Sequence, residues 1–138
     1  MPTIRQYKDS TDRIQVVELW QKVFGYETAH NEPNLAISKK LATNDGLFFV
    51  AVENTEVVGT IMAGYDGHRG WLYSVAVDPK IRLNGLGSSL VQHAEKALAD
   101  LGCMKVNLQL LDTNEATAAF YKSIGYSVEP RLSMGKLI

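Results

Sequence analysis

Cysteine is almost missing from this chain. Cys103 is the only one, so no internal disulfide can form, and the three histidines (His30, His68, His93) are too scattered for a recognisable zinc spacing. The expectation is a protein without a metal. A charge excess is missing as well: the formal net charge is -1, which argues against a phosphate-dominated partner such as nucleic acid. No uninterrupted apolar run approaches the length of a membrane span, and the opening Met1 to Gln6 has no basic-then-apolar signal region. These gaps set the expectation of a cytoplasmic protein without a membrane partner. Internal repeats, linkers and low-complexity segments are also lacking. Cys103, between Gly102 and Met104 and without a basic motif to lower its pKa, reads as a small apolar residue and not as a nucleophile.

What is present is 138 residues, 46% hydrophobic and 21% charged, which suffices for one globular domain with its own core. A single domain over residues 1–138 is expected. Its most informative stretch runs from Val75 to Leu90. An apolar β-branched run ends at Asp78-Pro79, a short loop carries Lys80 and Arg82, and Gly85 and Gly87 open a segment with helical apolar spacing. The order is strand, loop, helix.

The start of that helix matters physically. Its first four N–H groups have no internal partner and the peptide dipoles make this end partly positive, so the backbone there suits an anion. Gly85 and Gly87 allow close approach to the backbone, no Asp or Glu occurs from Ile81 to Ala94, and Arg82 adds a permanent charge. The glycines alone would also fit an ordinary strand-to-helix turn. A P-loop would need Lys then Ser/Thr after its last glycine, where this chain has Ser88-Ser89; a dinucleotide fingerprint would need a third glycine, where it has Leu90.

The rest of the chain supplies a frame. Thr3 to Tyr7 reads as a first strand. Asp9, Ser10 or Thr11 can cap a helix whose apolar positions are Ile14, Val17, Leu19, Trp20, Val23 and Phe24, ending near Gly25. After a polar loop, Leu35 to Leu41 carries a weaker helical pattern. Leu47 to Glu53, Glu56 to Gly64 and Trp71 to Val77 read as three strands of an antiparallel meander, joined by turns at Asn54-Thr55 and Asp66 to Gly70. Leu86, Leu90, Val91, Ala94, Ala97, Leu98 and Leu101 mark one face of a helix of about 25 Å. Lys105 to Leu111 is the next strand, parallel to the one before that helix. A helix from Glu115 to Ile124 follows, capped from Asp112 to Asn114. Tyr126 to Ile138 is β-like on both sides of Pro130 and reads as a last hairpin or pair of strands.

Two segments carry a family resemblance. Arg-x-x-Gly-x-Gly after Val-Asp-Pro resembles motif A of the GCN5-related N-acetyltransferases (GNAT), and Asn114 to Tyr126, with Phe120-Tyr121 and Gly125-Tyr126, resembles that family's second signature. The likeness covers the whole chain. Gly64 to Gly70 and Ser133 to Ile138 look further like the small bacterial YpeA-type branch.

The resemblance implies an α/β (α+β) GNAT fold: a mixed, mostly antiparallel central sheet with a parallel strand pair at its middle, splayed where those strands part, and helices on both faces. It implies an acyltransferase moving the acetyl group of acetyl-CoA to a primary amine, small molecule or peptide N-terminus, by direct attack in a ternary complex. A homodimer is compatible with it. Arg82, Leu83, Asn84, Gly85, Leu86, Gly87 and Ser88 would cradle the pyrophosphate. Many relatives carry a basic or small residue where Leu83 stands, and Lys80 is the candidate to meet that part of the charge. Val75 and Val77 would offer backbone groups to the pantetheine, and Asn114 would contact it or cap its helix. Tyr121 would protonate the departing thiolate, a role suited to a phenol of pKa about 10 beside a thiol of about 8.5. For the general base, Asp66, His68, Glu53 and Asp112 are the candidates. A domain that holds acyl-CoA as a sensor, with little turnover, is the alternative function.

Overall fold

A computed structural model describes residues 2–82 and 84–138; Leu83, named above for the phosphate loop, lies outside the described residues. The elements run β1 (Thr3–Gln6), α1 (Asp9–Phe24), α2 (Pro33–Thr43), β2 (Phe48–Glu53), β3 (Glu56–Tyr65), β4 (Gly70–Val77), α3 (Leu86–Asp100), β5 (Val106–Leu108) and α4 (Glu115–Ser123), with 3-10 turns at Ala29–Asn31 and Pro79–Ile81. Two compact units divide the chain, Met1–Leu108 and Gln109–Ile138.

In the first unit the strands lie in the order β1-β2-β3-β4-β5, with every neighbouring pair antiparallel except the parallel β4 and β5. The mixed sheet and its parallel pair agree with the expected fold. The side-chain alternation of β2 separates the two faces. Phe48 and Val50 join Val16, Leu19, Trp20, Ile37, Met62 and Ala76 in one buried cluster under α1 and α2. Phe49 turns the other way, meeting the His93 ring of α3 edge-on at 4.6 Å. Each fully buried aliphatic side chain of this kind contributes about 1.5–3 kcal/mol.

Local chemistry explains the element ends. Asn54 and Thr55 both take positive φ (52° and 64°), the geometry of a two-residue hairpin turn that matches strand twist. Glu32 caps α2 by accepting the Asn34 and Leu35 N–H groups, with Pro33 in the first turn. The N-cap of α1 is Lys8, with no side-chain cap, in place of Asp9, Ser10 or Thr11. Asp12 instead reaches back to the Lys8 N–H at 2.8 Å while binding Arg5 through both oxygens.

Three readings need correction. Ile14 is 75% exposed, because α1 lies on the sheet through Val16, Leu19 and Trp20. The parallel pair stands at the end of the strand order and not at its middle, because residues 126–138 form no strand. Their apolar side chains Val128, Leu132 and Met134 are exposed, and strand preference is mostly a preference for a half-buried pleated surface. Finally, β5 is three residues long where Lys105 to Leu111 alternates, since its ladder with β4 ends at Leu72 opposite Leu108.

Candidate active site

Past Leu72 the β5 side of β4 has no ladder partner among the described residues, while β3 stays paired to Val77. The sheet therefore opens along the last five residues of β4. Val75 and Val77, both half-buried, lie on this stretch, as the sequence suggested. The opening leads directly to the turn before α3.

That turn is tied down by a buried carboxylate. Asp78 accepts the Lys80 N–H at 3.1 Å and an ion pair from Lys22 at 3.2 Å. Burial alone would raise its pKa; the Lys80 N–H and the Lys22 ammonium outweigh burial and hold it below the usual carboxylate range. The Lys80 amine is paired with Glu56 at 2.9 Å, and both side chains are exposed. Arg82 is exposed and spends only its Nε, on the Val77 carbonyl at 3.2 Å; its two Nη groups have no protein partner among the described residues.

At the head of α3, Gly85 is the N-cap with φ 87°, a left-handed conformation that favours glycine. No side chain caps this end and its first turn holds no acidic residue. The first α3 backbone bond joins the Ser89 N–H to the Gly85 carbonyl at 3.1 Å, so the preceding amides of Leu86, Gly87 and Ser88 have no partner within the helix. Asn84 and Gly85 are exposed and Gly87 and Ser88 half-buried, while Leu86 turns into the core. The seat of this helix depends on Gly59: a Cβ there would meet Leu90 Cδ1 at 3.0 Å and the Ala76 carbonyl at 3.3 Å.

The middle of β4 holds what sequence reasoning missed. Thr60 stands opposite Ala76 but Met62 stands opposite Tyr73, so β4 carries one residue more than β3 across this interval. Ser74 in the bulge has φ 51°, an uncommon value for a residue with a Cβ. Its carbonyl accepts the Thr60 hydroxyl at 2.9 Å, and Thr60 Oγ1 accepts the Trp20 indole N–H at 2.8 Å. In a trans peptide the N–H points opposite to the C=O, so the Val75 N–H is directed away from Thr60. One signal was available: Thr60 is a hydroxyl inside the apolar run Val57 to Ala63, and a buried hydroxyl needs partners.

The second unit contains Asn114 and Tyr121. Asn114 Oδ1 caps α4 by accepting the Thr117 N–H at 3.3 Å. Tyr121 is 6% exposed and lies edge-on to Phe120 and Tyr126, at 5.0 and 5.5 Å between ring centroids. Burial pushes its phenol up to about 12. Its hydroxyl has no hydrogen-bond partner among the described residues.

Among the candidate bases, Asp66 is a turn residue. It accepts the N–H groups of Arg69 and His68 at 2.7 and 2.8 Å, which hold its carboxylate below the usual range. His68 is exposed in that turn, Glu53 ends β2 opposite Glu56, and Asp112 is exposed in the second unit. No group of three or more metal-ligating side chains occurs among the described residues. No helix among them is long and apolar enough to cross a membrane.

A family model described as the acetyltransferase (GNAT) family matches residues 13–126. Among solved structures, the chain is similar to the ribosomal-protein-S18-alanine N-acetyltransferase of Escherichia coli, at 24% identity and a TM-score of 0.72 over 91% of this chain and 77% of that one. It is similar to glucosamine-6-phosphate N-acetyltransferase of Arabidopsis thaliana, at 23% identity and a TM-score of 0.73 over 99% and 98%. The aminoglycoside antibiotic 6'-N-acetyltransferase of Acinetobacter haemolyticus matches at 18% identity and a TM-score of 0.78, over 99% of each chain.

Proposed function

The chain belongs to the acetyltransferase (GNAT) family, and from that premise we propose that it is an N-acetyltransferase acting over residues 1–138 as one domain, with acetyl-CoA as donor and a primary amine as acceptor. One observation carries the reading. Among the described residues, the unladdered end of β4 and the uncapped start of α3 flank one short turn, with Arg82 in that turn. A diphosphate suits the α3 end, and an extended pantetheine suits the β4 edge, where it would add itself as a strand along Val75 and Val77. Arg82 and the segment Asn84 to Ser88 are the phosphate-binding residues of this reading.

The chemistry is direct attack. The amine nitrogen bonds to the thioester carbon, the carbonyl oxygen becomes an oxyanion held by the Val75 N–H, and the C–S bond then breaks. Tyr121 donates a hydrogen bond to the departing thiolate. Burial holds that phenol above its ordinary value, which keeps it protonated and able to donate. Asn114 keeps α4 capped beside that role.

The acceptor stays broad: a ribosomal protein's alanine, glucosamine-6-phosphate and an aminoglycoside are named for proteins of this fold. A place in the YpeA-type branch accords with the segments 64–70 and 133–138, and a cytoplasmic location is part of the same proposal. The test is a thiol-release assay with acetyl-CoA across amino acids, polyamines, aminoglycosides and peptides. Release that depends on one amine class supports the reading; tight CoA binding without release for any of them would replace it with the sensor.

A further inference from the structure

We infer that Trp20 and Thr60 are positioning residues, forming a buried relay that sets the direction of the Val75 N–H. The inference rests on the acetyl-transfer reading above. Ser74 at φ 51° is a strained conformation for serine, which persists only if its surroundings over-determine it. The surroundings are specific. The Thr60 hydroxyl donates to the Ser74 carbonyl at 2.9 Å, which fixes the Ser74–Val75 peptide plane from the β3 side. Free rotation of that hydroxyl is removed by its own acceptor duty to the Trp20 N–H at 2.8 Å.

Every member is locked in place. Thr60 is 0% exposed, Trp20 is buried, and the indole stacks on Phe48 at 6.0 Å between ring centroids. The relay thus starts on α1, passes through β3 and ends on a peptide whose N–H faces the opened edge of β4. Threonine satisfies both duties: one proton to donate, one lone pair to accept. Valine has the same shape and neither function; serine has both.

Thr60→Val should lower kcat about 100-fold, the cost of misplacing an oxyanion donor, while the affinity for CoA stays within about twofold. It also orphans the Trp20 N–H, so its Tm should fall. Thr60→Ser should restore kcat. Adding Trp20→Phe to Thr60→Val removes the orphaned donor and should recover much of the Tm without recovering kcat, which separates positioning from stability. In amide spectra of the full chain, the Val75 resonance should move in Thr60→Val and return in Thr60→Ser, a readout that needs no turnover. If wild type releases no thiol with any amine, the acetyl-transfer reading fails, and the Val75 resonance still tests the relay. An unmoved Val75 resonance, or a kcat in Thr60→Val equal to wild type, overturns it.

Discussion

The start of α2 and the start of α3 solve the same problem in opposite ways. Both helices leave their first amides without internal partners. At α2 the chain supplies its own anion, because both Glu32 oxygens accept N–H groups, from Asn34 at 3.1 Å and Leu35 at 2.7 Å. At α3 there is no side-chain cap and no acidic residue in the first turn, and a glycine at φ 87° turns the chain into the helix. α4 follows α2, with Asn114 as its cap and Glu115 behind it. On the proposed reading, the difference separates amides that serve stability from amides left for a ligand. A protein that forgoes about 1 kcal/mol of capping at one helix recovers it only when something binds there.

The largest effect should come where bound donor meets chemistry. Tyr121→Phe removes the hydrogen bond to the thiolate and should lower kcat by about 100-fold or more, with little change in CoA affinity. A parallel loss of affinity in calorimetry would reassign Tyr121 to cofactor binding. Next, Ser88→Glu gives α3 an anion of its own. A glutamate at the third helical position reaches back to the Gly85 N–H and sets a carboxylate at the partly positive helix end, so Tm should rise or hold while the affinity for CoA falls about 100-fold. A unit affinity ratio would show that the diphosphate lies elsewhere. Arg82→Gln should be milder, weakening CoA binding about tenfold, with a loss that shrinks as salt rises.

How far these regions could be read from residues alone follows the range of the forces that build them. The α3 start is local: Arg82, Gly85, Gly87, the run without carboxylates and the apolar spacing from Leu86 onward all lie within one stretch, and the helix does begin at Leu86 and bury Leu90, Val91, Ala94 and Leu98, while Leu101, expected on the same face, is 55% exposed. The bulge is not local. Nothing about Ser74 or its neighbours announces a positive φ, because the extra residue exists only relative to β3, and its lock sits on Thr60 and Trp20, 14 and 54 positions away. Pairing partners decide strands in the same way. Residues 126–138 alternate well enough to suggest strands, but without a surface to cover, their apolar side chains stay exposed. Lys80 shows the same limit: its charge was visible, and the Glu56 that pairs with it, 24 residues earlier, was not.

The smallest effect tests the other half of the comparison. The Leu35 and Asn34 N–H groups hold the Glu32 carboxylate below its ordinary value of 4.5. A carboxylate depressed in the folded state binds protons more weakly there than in the unfolded chain. Its contribution to stability is therefore complete above the unfolded value and fades as pH falls through the folded one. Glu32→Gln keeps the shape and an acceptor oxygen but cannot titrate. Its Tm should lie slightly below wild type at pH 7, and the gap should close as the pH is lowered from about 4.5, the unfolded carboxylate value, towards more acidic conditions. CoA affinity at pH 7 should be unchanged, since the amides of α2 already have their anion. A change in affinity as large as that of Arg82→Gln would mean that the two helix starts do not divide stability from binding as their capping implies.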